Sequence, residues 1–256
     1  MPVAFVGRRM TALEAVLVGL AGVGAGAINA VVGSGTLITF PTLLAIGLPP
    51  VVANVSNTVG LVPGSVAGAW GYRRELAGQR SRVQRLATAT IIGAIIGAVL
   101  LLVLPESSFE AVVPALILLG CVLVVIQPWV TRRLGERTRS HHGGPWVWLG
   151  VLAIGIYGGY LGAGQGVLLI AVLGAGLDET LQRVNAAKNI LAGLANLVAG
   201  LIFVAVADIN WVAAGLIAAG SALGGLLGAG VARRLPAVVL RGTVVVVGLI
   251  AVVALR

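Results

Sequence analysis

Long apolar stretches separated by short polar or basic turns run the length of the chain, at 11–32, 35–48, 51–70, 86–104, 109–130, 146–163, 165–177, 184–206, 209–232 and 236–255. Most are close to 20 residues, which at about 1.5 Å per residue spans the roughly 30 Å hydrocarbon core of a bilayer. The pattern predicts an all-α polytopic membrane protein, because outer-membrane barrels are built from much shorter alternating segments. The runs 35–48 and 165–177 are too short to span. Each follows a glycine-rich break, Gly33-Ser34-Gly35 and Gly164-Gln165-Gly166, and each ends in a turn, Leu48-Pro49-Pro50 and Gly176-Leu177-Asp178. The expectation is about eight full transmembrane helices plus two short, glycine-broken ones.

Those breaks belong to an internal repeat. A shift from 33 to 164, or 131 positions, also places Leu37-Ile38 on Leu168-Leu169, Asn54 on Asn185 and Ser65 on Asn196. The chain therefore divides into a first transmembrane repeat (1–130), a basic cytoplasmic linker (131–145) and a second transmembrane repeat (146–256). Short, glycine-interrupted segments at matching positions of two halves are the pattern of transporters whose site lies at the repeat interface.

Loop charge addresses how the repeats are related. Arg73, Arg74, Arg80, Arg82 and Arg85, and later Arg132, Arg133, Arg137 and Arg139, mark cytoplasmic loops, whereas the turn at 105–108 carries no lysine or arginine. In the second half the order flips: the turn 207–210 is free of basic residues, and Arg233, Arg234 and Arg241 follow the next run. Inverted repeats account for this if each short run carries the chain across, giving five passages per half. The alternative is four full helices per half with re-entrant short segments.

Composition agrees with a membrane protein: 59% of residues are hydrophobic, 10% are charged and the mean hydropathy is +1.07, which a soluble domain could not expose to water. The net charge of +9 reports orientation rather than nucleic-acid binding, since the basic residues sit in short loops and form no stripe. Arg8-Arg9, an apolar run and Ala25-Gly26-Ala27 resemble a cleavable export signal. Cleavage there would cut into the repeated unit, so the segment reads as a first membrane helix. Cys121, the lone cysteine, lies among leucine and valine as packing. His141-His142 has no further histidine to complete a metal site, and isolated serines without a base do not point to hydrolysis. No catalytic residue, metal ligand or cofactor is expected.

The chemistry concentrates around the breaks. Glycine accepts backbone angles other residues resist, and non-helical backbone at membrane depth is tolerated only inside protein or beside a watery cavity. A short helix starting after each break would present unpaired N–H groups and a positive dipole end to an anion. Asn54, Asn57 and Ser65, and in the second half Asn185, Lys188, Asn189 and Asn196, recur at spacings that share one helix face. Interhelical hydrogen bonding alone competes with a ligand role for each asparagine or serine. Lys188 is the only lysine in the chain; a buried charge there calls for a partner, cavity or ligand, unless it snorkels to the headgroups. All eight acidic residues fall near predicted helix ends, leaving no midplane carboxylate for a cation. The candidate substrate-binding set is Gly33, Ser34, Gly35, Asn54, Asn57, Ser65, Gly164, Gln165, Gly166, Asn185, Lys188, Asn189 and Asn196. Other glycines, as in 94–98 and 220–225, read as close helix packing.

The runs Gly33-Ser34-Gly35-Thr36-Leu37-Ile38-Thr39-Phe40-Pro41, Val52-Ala53-Asn54-Val55-Ser56-Asn57-Thr58 and Pro63-Gly64-Ser65, with Gly155-Ile156-Tyr157-Gly158-Gly159-Tyr160-Leu161-Gly162-Ala163-Gly164-Gln165-Gly166 and Ala232-Arg233-Arg234-Leu235-Pro236, resemble the TauE/SafE sulfite exporter family, also called the four-toluene-sulfonate uptake permease family. The resemblance covers nearly the whole chain and implies a multi-pass inner-membrane permease for sulfite, sulfoacetate or related sulfonates. Gln165 stands where that family more commonly has glycine. The expected partners are a small anionic substrate and the lipid bilayer, without nucleic acid, and assembly into a homo-oligomer is left open. The expected mechanism is alternating access at a midplane site between the repeats, with a passive anion channel or a non-transporting scaffold as the alternatives.

Overall fold

The computed structural model describes residues 10–134, 144–228, 242, 245–247 and 249. Arg8-Arg9, most of the basic linker with His141-His142, and most of the run 236–255 with Arg233-Arg234 lie outside the described residues. Among the described residues the chain is helical, in the order α1 (Ala12–Val31), α2 (Thr36–Ala45), α3 (Pro50–Gly71), α4 (Arg80–Val103), α5 (Glu106–Leu134), α6 (Pro145–Tyr160), α7 (Gln165–Gly176), α8 (Leu181–Val206) and α9 (Trp211–Leu227). Local signals set several starts. Thr11 and Glu14 form a reciprocal capping box at α1, Pro50 and Pro145 open α3 and α6, and the Asn210 side chain caps α9.

Four helices, α1, α4, α5 through Trp129 and α8, are long and apolar enough to cross a membrane. Their outward faces are aliphatic, with Leu20, Val103, Val125 and Leu201 exposed, as a lipid-facing surface requires. α3 has 22 residues but a more polar composition, because its inward face carries Asn54, Ser56, Asn57, Thr58 and Ser65, all buried. Both α4 and α8 begin before the apolar runs do, at Arg80 rather than 86 and at Leu181 rather than 184. Their first turns carry arginine, which the apolar pattern cannot register.

The short helices pack as the re-entrant alternative expects. Each folds back along the helix before it. At the end of α7, Gly176 meets Trp146 and Val147 at the start of α6, and Gly150 meets Val172. In the first half Gly35 sits against Ala25 and Asn29, and Gly24 faces Ile38. The reversal is made by glycines in the left-handed region, Gly33 (φ +85°) and Gly164 (φ +75°), with Gly162 (φ +71°) assisting. L-residues pay about 1–2 kcal/mol there. The product is two helical hairpins, α1–α2 and α6–α7, each with its break at the tip.

The hairpins are clamped by close, glycine-mediated packing. α1 runs parallel to α9, Gly22 meeting Ile217 and Gly220, and Gly26 meeting Ser221 and Gly225; α4 runs parallel to α6 through Gly93, Gly97, Gly155 and Gly159. A Cβ on Gly97 would lie 2.0 Å from the Ile156 carbonyl oxygen, so the backbones approach as only small residues allow. α3 lies between α9 and α8, and α5 covers α7. Cys121 is buried in the core as a free thiol.

One end of the bundle is tied by charge. Glu179, in the turn before α8, accepts from Arg82 Nη1 at 2.7 Å and Arg183 Nε at 2.5 Å. Arg183 Nη1 also donates to the Ala77 carbonyl, and Gln79 Nε2 donates to the Arg183 carbonyl at 3.1 Å. The α3–α4 and α7–α8 turns are thus one unit. Burial by itself would raise the Glu179 carboxyl, but the hydrogen bonds and charges of Arg183 and Arg82 outweigh it and hold the group below its ordinary value of 4.5. A depressed carboxylate contributes its full stability above the unfolded value and loses it as pH falls through the folded one. We therefore expect Glu179→Gln to cost about 1.5–3 kcal/mol, the range for hydrogen bonds to charged groups. Melting curves in detergent should show the deficit at pH 7 and its disappearance well below pH 4.5; equal melting temperatures at neutral pH would refute it.

Candidate functional site

The two hairpin tips meet. Gly166 N–H donates to the Gly33 carbonyl at 3.0 Å, and a Cβ on Gly33 would lie 2.5 Å from Gly166 Cα. Neither position has room for a side chain. The Lys188 stem passes beside this junction, its Cδ 3.1 Å and 2.9 Å from the places where Cβ atoms on Gly33 and Gly166 would stand.

Lys188 does not snorkel. It is fully buried, and its side-chain nitrogen donates to the carbonyls of Asn29 at 2.8 Å and Ala30 at 3.5 Å. Asn185 Nδ2 and Asn189 Nδ2 donate to the same Ala30 carbonyl at 3.1 and 3.2 Å. The last carbonyls of a helix lack intrahelical donors and form the negative end of its dipole. Three polar side chains of α8 therefore cap the broken end of α1. The corresponding end of α6 is capped from α3, where Asn54 Nδ2 donates to the Tyr160 carbonyl at 2.7 Å.

The remaining candidates divide. Asn57 turns to α2, accepting from Thr39 and donating to Thr36 Oγ1 at 3.4 Å. Ser65 donates to the Leu61 carbonyl and accepts from Asn29 at 3.5 Å. Gln165 Nε2 donates to Asn196 Oδ1 at 3.4 Å; this pair lies apart from the amine, Gln165 facing Thr90, Ile154 and Leu191. Gly164 packs on Gly120 of α5 and Gly35 on α1. The tip junction thus gathers Gly33, Gly166, Asn185, Lys188 and Asn189 directly, with Asn54, Asn57 and Ser34 on the flanking helix ends.

Several buried polar atoms at these tips have no partner: Ser34 Oγ, Asn54 Oδ1, Asn185 Oδ1 and Gln165 Oε1. An unpaired polar atom in a dry interior is costly, and one hydroxyl with three amide oxygens of this kind lie at the two helix breaks. Ser34 matters most, because its hydroxyl stands at the N-terminal end of α2, where helix donors are unpaired. Among the described residues the acceptors of Lys188 are backbone carbonyls and not a carboxylate.

Sequence reasoning missed four contributors. Thr36 and Thr39 hold Asn57; their spacing of three on a helix was the available signal. Tyr157 donates from its hydroxyl to the Ala163 carbonyl at 2.5 Å, bracing the second tip. The Asn29 backbone carbonyl, the nearest acceptor of Lys188, carries no sequence signal at all.

The sequence model of the family described as Sulfite exporter TauE/SafE matches residues 18–255. Among curated proteins, a "Probable membrane transporter protein" of Haemophilus influenzae is 26% identical over 205 residues, covering 79% of this chain and 78% of that one. The "Probable membrane transporter protein YfcA" of Escherichia coli is 24% identical over 206 residues, covering 80% and 75%. The "Probable membrane transporter protein ORF9" of a Sinorhizobium species is 27% identical over 144 residues, covering 56% and 54%. No solved structure matches.

Proposed function

The chain belongs to the sulfite exporter TauE/SafE family, a multi-pass membrane transporter family, and on that premise we propose that it moves a small anion, sulfite or an organosulfonate, by alternating access around the two hairpin tips. The observation that carries the reading is Lys188, a fully buried lysine bonded by no carboxylate among the described residues, placed where two broken helices touch. Ser34 and the start of α2 add donors suited to an oxyanion, while the absence of acidic side chains from the junction among the described residues disfavours a cation as cargo.

Two homologous repeats of opposite orientation support the moving parts. α3 and α8 start at 50 and 181, and α4 and α9 at 80 and 211, each pair 131 residues apart. The left-handed glycines Gly33 and Gly164 keep the same interval. Exchanging the halves turns the α1–α9 contact into α6–α4, and the Asn54 cap of α6 into the Asn185 cap of α1. Opposite orientation follows from hairpins rather than five passages. With α1–α2 returning to its own side, α3, α4 and α5 make three crossings, an odd number that inverts the second half. The Ser56–Asn210 bond joins the starts of α3 and α9 at one end, and the Gln79–Arg183 bond joins the starts of α4 and α8 at the arginine-rich other, which the positive-inside rule makes cytoplasmic.

A thermal-shift series on the purified protein with sulfite, sulfate, thiosulfate, sulfoacetate and simple carboxylates tests the assignment. A ligand at a hundredfold over its dissociation constant stabilises by about 2.7 kcal/mol. At least one sulfur oxyanion should raise the melting point in a saturable way. Stabilisation by cations or neutral solutes alone would overturn the reading.

A further inference from the structure

Lys188 has more donors than the resting site can use. The Ala30 carbonyl already takes Asn185 at 3.1 Å and Asn189 at 3.2 Å, which fills its two lone pairs, and Lys188 reaches it only at 3.5 Å. The Asn29 carbonyl at 2.8 Å is the one close acceptor. An ammonium carries three N–H donors, so at least one is left without an acceptor in a site with no solvent exposure. A neutral amine has one N–H fewer to satisfy and carries no charge, so it fits the single close acceptor better than the ammonium does. The end of the α1 dipole offsets part of a positive charge, but among the described residues no full counter-charge faces it.

The groups on every element packed against α8 bear this out. α1 carries only Glu14, at its far end, and α3 and α7 carry no ionisable side chain. α4 brings Arg80, Arg82 and Arg85 at its start, where Arg82 is bound to Glu179, and α6 brings Tyr157 and Tyr160, the former bonded to Ala163. On α8 itself Arg183 is tied to Glu179. Tyr72, just past α3, packs on Ala186. A bound anion supplies both things the ammonium lacks, a negative charge and an acceptor for the spare N–H.

Resting on the carrier reading above, we infer that protonation of Lys188 and binding of the anion are one coupled event, so that the protein carries a monoanion together with one proton taken from the water on the side it faces. Coupling of two ligands at one site is reciprocal: the anion favours the proton as much as the proton favours the anion. The translocated pair is neutral, which removes the cost of moving an uncompensated charge through the tip junction.

Because Lys188 is the only lysine, protein grown on lysine labelled with nitrogen-15 at the side chain gives one signal that reports this amine alone. The probe is methanesulfonate, whose charge is fixed across the neutral range. Saturating methanesulfonate should move the signal from the amine to the ammonium position at a pH where the free protein shows amine. Its apparent affinity should weaken about tenfold per pH unit above the midpoint of the free protein. In proteoliposomes an inward methanesulfonate gradient should acidify the lumen, one proton per anion, with a rate indifferent to an imposed membrane potential. Methanesulfonate movement without acidification, or binding that leaves the lysine signal in place, overturns the coupling and leaves the carrier standing. Absence of both binding and movement overturns the sulfonate assignment and the coupling with it.

Discussion

Gly33→Ala should abolish transport and lower the melting temperature of the protein markedly. Two penalties fall on one methyl group. The residue sits at φ +85°, where an L-side chain costs about 1–2 kcal/mol. Its Cβ would also lie 2.5 Å from Gly166 Cα and 2.9 Å from Gly166 C, a clash with backbone that no rotamer relieves; overpacking of this kind typically adds about 1–3 kcal/mol. The hairpin tips can accommodate the methyl only by separating, which breaks the Gly166–Gly33 hydrogen bond and pulls the Lys188 stem from its slot. Gly215→Ala is the control, since a Cβ there meets nothing within 4 Å and alanine favours a helix. Uptake by Gly33→Ala at the wild-type rate would show that the tip junction has no part in transport.

Lys188→Gln should separate folding from function. Among the described residues the wild-type side chain meets no counter-charge, so its replacement by a neutral group strands no partner ion, unlike the rupture of a buried salt bridge. Asn185 and Asn189 still cap Ala30, and the stability loss should stay near the roughly 1–3 kcal/mol of one unsatisfied Asn29 carbonyl. Transport should fall by about 100-fold or more, as expected when a buried charge-assisted contact worth about 3 kcal/mol is removed. Flux measured beside the melting curve separates the outcomes. A folded variant with wild-type flux would mean that Lys188 serves only to cap α1, whereas a collapsed melting curve would mean that its chief task is structural.

The polar stripes on α3 and α8 were legible because helical spacing alone puts 54, 57 and 65, or 185, 188 and 196, on one face. Every one of those residues is buried as that spacing requires. The breaks were legible because only glycine tolerates the backbone they need. What each stripe residue bonds was not. Lys188 pairs with a carbonyl 159 positions away, and a backbone acceptor has no residue type to betray it. The path of the chain past the breaks was illegible for a related reason: helix length shows that α2 and α7 are short, but not whether the chain continues or turns back at the glycine. That choice is made by contacts such as Gly176 on Trp146 and Val147.

Apolar run length and loop arginines, both local in sequence, determined that this is a helical multi-pass membrane protein, and the paired glycine breaks marked where its helices are interrupted. Tertiary structure decided that the short helices double back and that their tips meet through Gly33 and Gly166. It also decided that the single lysine lies over the end of α1. The division follows the physics. Hydrophobic transfer and backbone preference act residue by residue and leave a mark in the chain, whereas the pairing of a buried donor with a distant carbonyl exists only once packing has excluded water from both.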